Sequence, residues 1–181
     1  AYVYGNTANT ADILAAKLRE LGIKTEVYDA SYTAADEILA AAFRYSHLVF
    51  ASTTYNAGMF VNMENLVHDI VNHNLQNRTI ALVENGSWAP TAGGLMRAEF
   101  QKLKGCTILD ETLTIKSSLK ENQLDTMDTL AQAMKPIEKI SDIRIFSAGN
   151  LVGAMNGGAG GEQSGAVGDL SSQLLSFTAQ K

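Results

Sequence analysis

The sequence is poor in cysteine, proline, positive charge and long apolar runs, and each shortage excludes something. Its one cysteine, Cys106, rules out an internal disulfide and fits a reducing cytoplasm. Lysine and arginine number 14 against 19 aspartates and glutamates, a net charge of -5. A surface of that sign does not neutralise phosphates in bulk, so a nucleic-acid partner is not expected. No apolar run approaches the roughly 20 residues that span a bilayer, and no basic-then-apolar signal segment opens the chain. Three scattered histidines, His47, His68 and His73, show no metal-ligand spacing. His68 and His73 fall on or near the polar side of a helix and read as surface residues. The chain opens at Ala1 rather than Met, as a fragment or a processed protein would.

What is present is a core. Of 181 residues, 46% are hydrophobic and 18% charged, which suits one globular domain. Strand and helix patterns alternate from residue 1 to about 140. The first strand is the stub Ala1-Tyr2-Val3. A helix follows, with Ala11, Leu14, Ala15 and Leu18 on one face. Lys24 to Tyr28 forms the second strand. Thr33-x-x-Asp36 has capping-box spacing before a helix that turns Ile38, Leu39, Ala42 and Phe43 inward. Leu48 to Ala51 and Thr79 to Val83 are unbroken apolar runs, as strands buried on both faces should be. Between them, Met63, Leu66, Val67, Ile70 and Val71 keep helical spacing. Pro90 precedes a helix with Leu95, Met96, Phe100 and Leu103 inward. Cys106, read as a small buried residue, leads into the fifth strand, Thr107 to Ile115. Ser118-x-x-Glu121 offers a second capping box before Leu124, Met127, Ala131 and Met134. Five β-α units with right-handed crossovers make an α/β doubly wound parallel sheet, with helices on both faces.

Residues 141–181 differ. Eight of the 15 glycines lie between Gly149 and Gly168, so the segment reads as a glycine-rich C-terminal extension of unknown role. Within it, Asp142 to Phe146 has the pattern of an added edge strand. The domain itself is expected over 1–140.

Ligands of such sheets bind beyond the carboxyl ends of the strands. Three loops there carry suitable groups. Tyr4-Gly5-Asn6-Thr7 opens a helix, where backbone N–H groups and hydroxyls make a phosphate site or simply a helix cap. Thr53, Thr54, Tyr55, Asn56 and Gly58 combine a ring with amide and hydroxyl groups, suited to covering a flat heterocycle. Asn85, Gly86, Ser87 and Trp88 include the only tryptophan, preceded by a glycine that allows close backbone approach.

Taken together, Tyr4-Gly5-Asn6-Thr7, Thr54-Tyr55-Asn56-Ala57-Gly58, Glu84-Asn85-Gly86-Ser87-Trp88-Ala89-Pro90-Thr91-Ala92-Gly93 and Thr114-Ile115-Lys116-Ser117-Ser118 resemble the flavodoxin domain of A-type flavoproteins, the flavodiiron family. The resemblance covers about residues 1 to 135. It implies a flavodoxin-like three-layer sheet of five parallel strands in the order 2-1-3-4-5. It also implies bound FMN. Tyr4, Gly5, Asn6 and Thr7 would hold the phosphate. Thr53, Thr54, Tyr55, Asn56 and Gly58 would line one side of the isoalloxazine, and Asn85, Gly86, Ser87 and Trp88 the other.

In that family the domain follows a di-iron domain that reduces oxygen or nitric oxide, commonly in a head-to-tail dimer. The implied partners are therefore redox proteins or a di-iron domain, in a homo-oligomer. No His-x-Glu-x-Asp motif occurs here, so the di-iron chemistry is not expected of this chain by itself. The expected function is an electron-transfer domain of such a reductase. Alternatives are a free-standing flavodoxin-like carrier, or a flavodoxin fold kept for assembly without FMN.

Overall fold

A computed structural model describes residues 5–135 and 142–148. The stub at Ala1 to Val3 and its neighbour Tyr4 lie outside the described residues, as does the glycine-rich stretch after Ala148. The elements run α1 (Asn6–Glu20), β1 (Lys24–Asp29), α2 (Ala35–Arg44), β2 (His47–Tyr55), β3 (Gly58–Met59), α3 (Val61–Asn72), β4 (Thr79–Asn85), α4 (Ala92–Phe100), β5 (Thr107–Ile115), α5 (Leu124–Ala133) and β6 (Asp142–Ala148). A 3-10 turn, Glu121–Gln123, leads into α5.

Five strands make one parallel sheet in the order β1-β6-β2-β4-β5, and β3 folds back antiparallel on β2. By position this is the doubly wound order 2-1-3-4-5, with β6 in the second place, between β1 and β2. The sequence puts Asp142 to Phe146 at an edge. The structure instead seats β6 between β1 and β2, in register from Lys24↔Asp142 to Asp29↔Ser147 on one side and from His47↔Ile143 to Ser52↔Ala148 on the other. The physical reason is that each face of β6 carries a buried apolar side chain. Ile145 is buried against α1 and α5, and Phe146 against the opposite layer. An edge position would leave one row of backbone groups unpaired; the interior one pairs both.

The same two-faced burial organises the other strands. Leu48, Phe50, Ile80 and Leu82 pack toward α2, α3 and α4. Val49, Ala51, Ala81 and Val83 pack toward α1 and α5. Successive strand residues point to opposite faces, so unbroken apolar runs fill both layers. On the first face, Phe50 contacts Phe100 and Phe146 with ring centroids 4.5 and 5.1 Å apart. Such rings dominate core energetics.

Helix faces follow their 3.6-residue period. Ala11, Leu14, Ala15 and Leu18 of α1 are fully buried, as expected. In α2 the inward stripe is Ile38, Ala41 and Ala42, while Phe43 is exposed. Leu95 of α4 is exposed too, beside buried Met96 and Phe100. Neither expected capping box forms. The N-cap of α2 is Ala34, with no side-chain bond. Before α5, Lys120 N donates instead to Gln123 Oε1 at 3.1 Å, which moves the box two residues past Ser118.

Candidate functional site

The carboxyl ends of the strands bring the three predicted loops together, and a chain of side-chain bonds fastens them. Gly5 precedes α1 at φ 67, in the left-handed region that glycine enters without a Cβ penalty. Asn6 is half-buried and Thr7 fully buried. The hydroxyls of Thr7 and Thr53 share a hydrogen bond at 2.8 Å. Asn85 Nδ2 donates to Thr7 Oγ1 at 3.2 Å and to Ser117 O at 3.0 Å. Ser117 N returns a bond to Asn85 Oδ1 at 3.1 Å. One tie, Thr53–Thr7–Asn85–Ser117, thus joins the start of α1 to the ends of β2, β4 and β5. Asn85 spends both amide donors in this tie, so its side chain belongs to the floor of the site.

The start of α1 is left open. Among the described residues no side chain caps it, and its first turn holds no acidic residue. Helix starts carry unpaired N–H groups and partial positive charge. Asn6 and Thr7 are of capping type, yet the Thr7 hydroxyl is committed to the tie.

On one side of this opening stand β2 and its hairpin. Thr54 is half-buried, and Tyr55 and Asn56 are exposed. Asn56 and Ala57 have φ 49 and 58, and the pairs Thr54↔Met59 and Tyr55↔Gly58 close around them. Two successive positive φ values make the type I′ turn that matches strand twist. A non-glycine residue such as Ala57 is strained there by about 1 kcal/mol. The Tyr55 ring meets Phe60 edge-on, with centroids 6.4 Å apart.

Across the opening runs the loop after β4. Gly86 is buried, and a Cβ on it would stand 2.8 Å from Pro90 Cα, so only glycine lets the loop double back so tightly. Ser87 is exposed, and Trp88 is 97% exposed. A large ring exposed in a loop at the carboxyl edge of a sheet, where Tyr55 is exposed as well, is apolar surface with no internal use.

Two residues given no role in the sequence hold this architecture. Ser117, with φ 69, completes the floor. Glu84, 8% exposed, accepts from Gly93 N and from Thr114 Oγ1, each at 2.7 Å. A carboxylate at the end of the apolar run Ile80 to Val83 was the available signal for it. The sequence also gave no sign of a cavity of about 230 Å³ bordered by Thr33, Ile38, Asn62 and Asn65. Among the described residues, no group of three His, Cys, Asp or Glu comes together as a metal site, and no helix is long and apolar enough to cross a membrane. His68 and His73 are exposed, and Cys106 is half-buried.

No protein-family model matches this sequence, and no curated protein matches it either. Solved structures do. The rubredoxin oxygen:oxidoreductase of Desulfovibrio gigas superposes with a TM-score of 0.67 at 16% identity, over 72% of this chain and 32% of that one. A flavodiiron core from Synechocystis gives 0.66 at 19% identity, over 75% of this chain and 34% of that one. Flavodoxin 1 of Bacillus cereus gives 0.62 at 16% identity, over 72% of this chain and 90% of that one. The chain spans about a third of the length of those first two structures. Likeness at such identities speaks to fold, and the chain has a flavodoxin-like α/β fold.

Proposed function

We propose that this chain is an FMN-binding electron-transfer domain. The observation that carries the reading is the uncapped, acid-free start of α1, tied through Thr7 to Thr53 and Asn85 and flanked by exposed Tyr55 and Trp88. An anionic phosphate satisfies open N–H groups there, with no acidic side chain in the first turn to oppose it. The residues fit the group.

Tyr4, Gly5, Asn6 and Thr7 would hold the phosphate. Thr53, Thr54, Tyr55, Asn56 and Gly58 would line one side of the ring system. Asn85, Gly86, Ser87 and Trp88 would line the other, with Asn85 acting from beneath. Bound FMN supplies the electron chemistry, while the protein orients it and sets its potential. Tyr55 and Trp88 would shield the ring from water. The net charge of -5 opposes adding electrons. The fully reduced couple is therefore expected below that of free FMN, and a redox titration giving the free-flavin value would contradict this.

The finer reading is the flavodoxin module of a flavodiiron-type oxygen or nitric oxide reductase. Superposition scores somewhat higher for flavodiiron structures than for flavodoxins support it. Its partners would be redox proteins or a di-iron domain, in a cytoplasmic homo-oligomer. The functional division would fall at about residue 140, although Asp142–Ala148 of the extension supplies the strand between β1 and β2.

The test is the visible spectrum of the purified chain, before and after reconstitution with FMN. Flavin absorbance together with quenched tryptophan emission is expected. A colourless protein that gains neither would leave a fold kept for assembly.

A further inference from the structure

Trp88 is 97% exposed, so packing does not fix where it stands. Its place comes from the anchors of the loop that carries it. At the near end, Gly86 N donates to Ile115 O at 3.1 Å, beside the Asn85 tie. At the far end, Thr91 N and Ala92 N donate to Thr54 Oγ1 at 3.0 and 3.2 Å. Gly93 N then donates to Glu84 Oε2 at 2.7 Å, and Thr114 Oγ1 donates to Glu84 Oε1 at 2.7 Å. Thr114 is itself held, because its carbonyl accepts from Gln123 Nε2 at 2.7 Å.

A buried carboxylate is costly unless its oxygens are bonded, and here each oxygen has a donor. The surroundings are shaped to admit it. A Cβ on residue 93 would lie 2.9 Å from Glu84 Oε2, so glycine leaves the carboxylate its room. Glu84 therefore does more than fill space at the end of β4. It reaches across the root of the loop and grips the first turn of α4.

We propose that Glu84 is a positioning residue for the site. By holding the Gly93 N–H and the Thr114 hydroxyl together, it fixes the start of α4 and so limits the motion of the loop that carries Trp88. The effect on cofactor affinity rests on the FMN reading above; the effect on loop order does not.

Trp88 is the only tryptophan, so its fluorescence reports this loop alone. The experiment takes the full chain as wild type, Glu84→Ala, Glu84→Gln and Thr114→Val. It records time-resolved Trp88 anisotropy without FMN, then FMN titrations followed by emission and visible absorbance. Circular dichroism fixes a temperature at which each variant is folded. Glu84→Ala should show faster and larger local depolarisation, and an FMN dissociation constant raised about tenfold, roughly the loss of one hydrogen bond.

Glu84→Gln should restore both readouts, since its oxygen accepts from Gly93 N–H while its amide donates to the Thr114 hydroxyl. A glutamine variant that behaves like the alanine one would mean that charge rather than bonding geometry matters, and would overturn the proposal. Thr114→Val, which removes one donor and little volume, should fall between wild type and Glu84→Ala. It carries the test if Glu84→Ala does not fold, and wild-type anisotropy in Thr114→Val would then overturn the proposal. A wild type that binds no FMN would overturn the functional reading, leaving anisotropy to judge Glu84.

Discussion

Helices α1 and α4 both begin at the carboxyl edge of the sheet, and the fold treats their first turns in opposite ways. At α4, three successive N–H groups, those of Thr91, Ala92 and Gly93, are all satisfied by side chains borrowed from β2 and β4. At α1, no side chain among the described residues caps the first turn. Its N-cap is Gly5, which forgoes roughly a few tenths of a kcal/mol against a side-chain cap. Asn6 and Thr7 are well suited to capping, yet Thr7 is spent on tying loops together. The difference separates two uses of a helix start. The α4 start is structural and closed, and it fixes a loop. The α1 start is open, and the free energy left unspent there is available to an anion.

The largest expected effect comes from breaking the closed start. Glu84→Ala should lower unfolding free energy by about 3 kcal/mol, because two donors lose a charged acceptor. Urea denaturation measures this, and a loss under about 1 kcal/mol would mean that α4 does not depend on its borrowed cap. Thr54→Val is the gentler break. It removes the acceptor of two N–H groups at nearly constant volume and should cost about 1 to 2 kcal/mol in the same assay.

The open start is sharpened by closing it. Asn6→Asp places a carboxylate in the first turn of α1 and should stabilise the FMN-free protein by about 0.5 kcal/mol through the helix dipole. The same charge should weaken FMN binding several-fold by repelling the phosphate. Stability and affinity moving in opposite directions is the outcome expected of a ligand-reserved helix start. If both rise together, the α1 start is only an unoptimised terminus.

The smallest effect lies at the other edge of the sheet, away from both helix starts. Burial lowers the pKa of His47 below 6.5. Well above pH 6.5 the folded and unfolded chains both carry a neutral imidazole, so this group adds no slope there. As pH falls below 6.5 the unfolded chain binds the proton first, and stability declines until the folded pKa is passed. His47→Gln should flatten that part of the stability profile and leave FMN binding unchanged. A slope that persists in the variant would assign it to other groups.

Element type and inner faces were legible in the sequence because both are local. The apolar spacing of α1 named its four core residues, and the runs at Leu48 and Thr79 announced strands covered on both faces. The strand Thr107–Ile115 has the bounds that its pattern predicts. Errors arose where local rules compete. Phe43 fits the inward stripe of α2 but faces solvent, and small Ala41 lies against the core in its place. Thr33 and Asp36 have the spacing of a cap, but the helix begins after Ala34.

The sequence by itself determined an alternating β-α chain and three polar, aromatic loops at strand ends, because burial period and turn chemistry are written over a few neighbouring residues. Only the tertiary structure decided that Asp142–Ala148 inserts between β1 and β2, that Thr7 meets Thr53 and Asn85, and that Glu84 grips α4. The side-chain ties join positions from 9 to 78 apart, and β6 pairs with strands still farther away in the sequence, all competing for the same unpaired backbone and buried polar groups. A pattern can state that a group is to be buried. Which distant partner satisfies it is settled by the fold that brings them within 3 Å or so of each other.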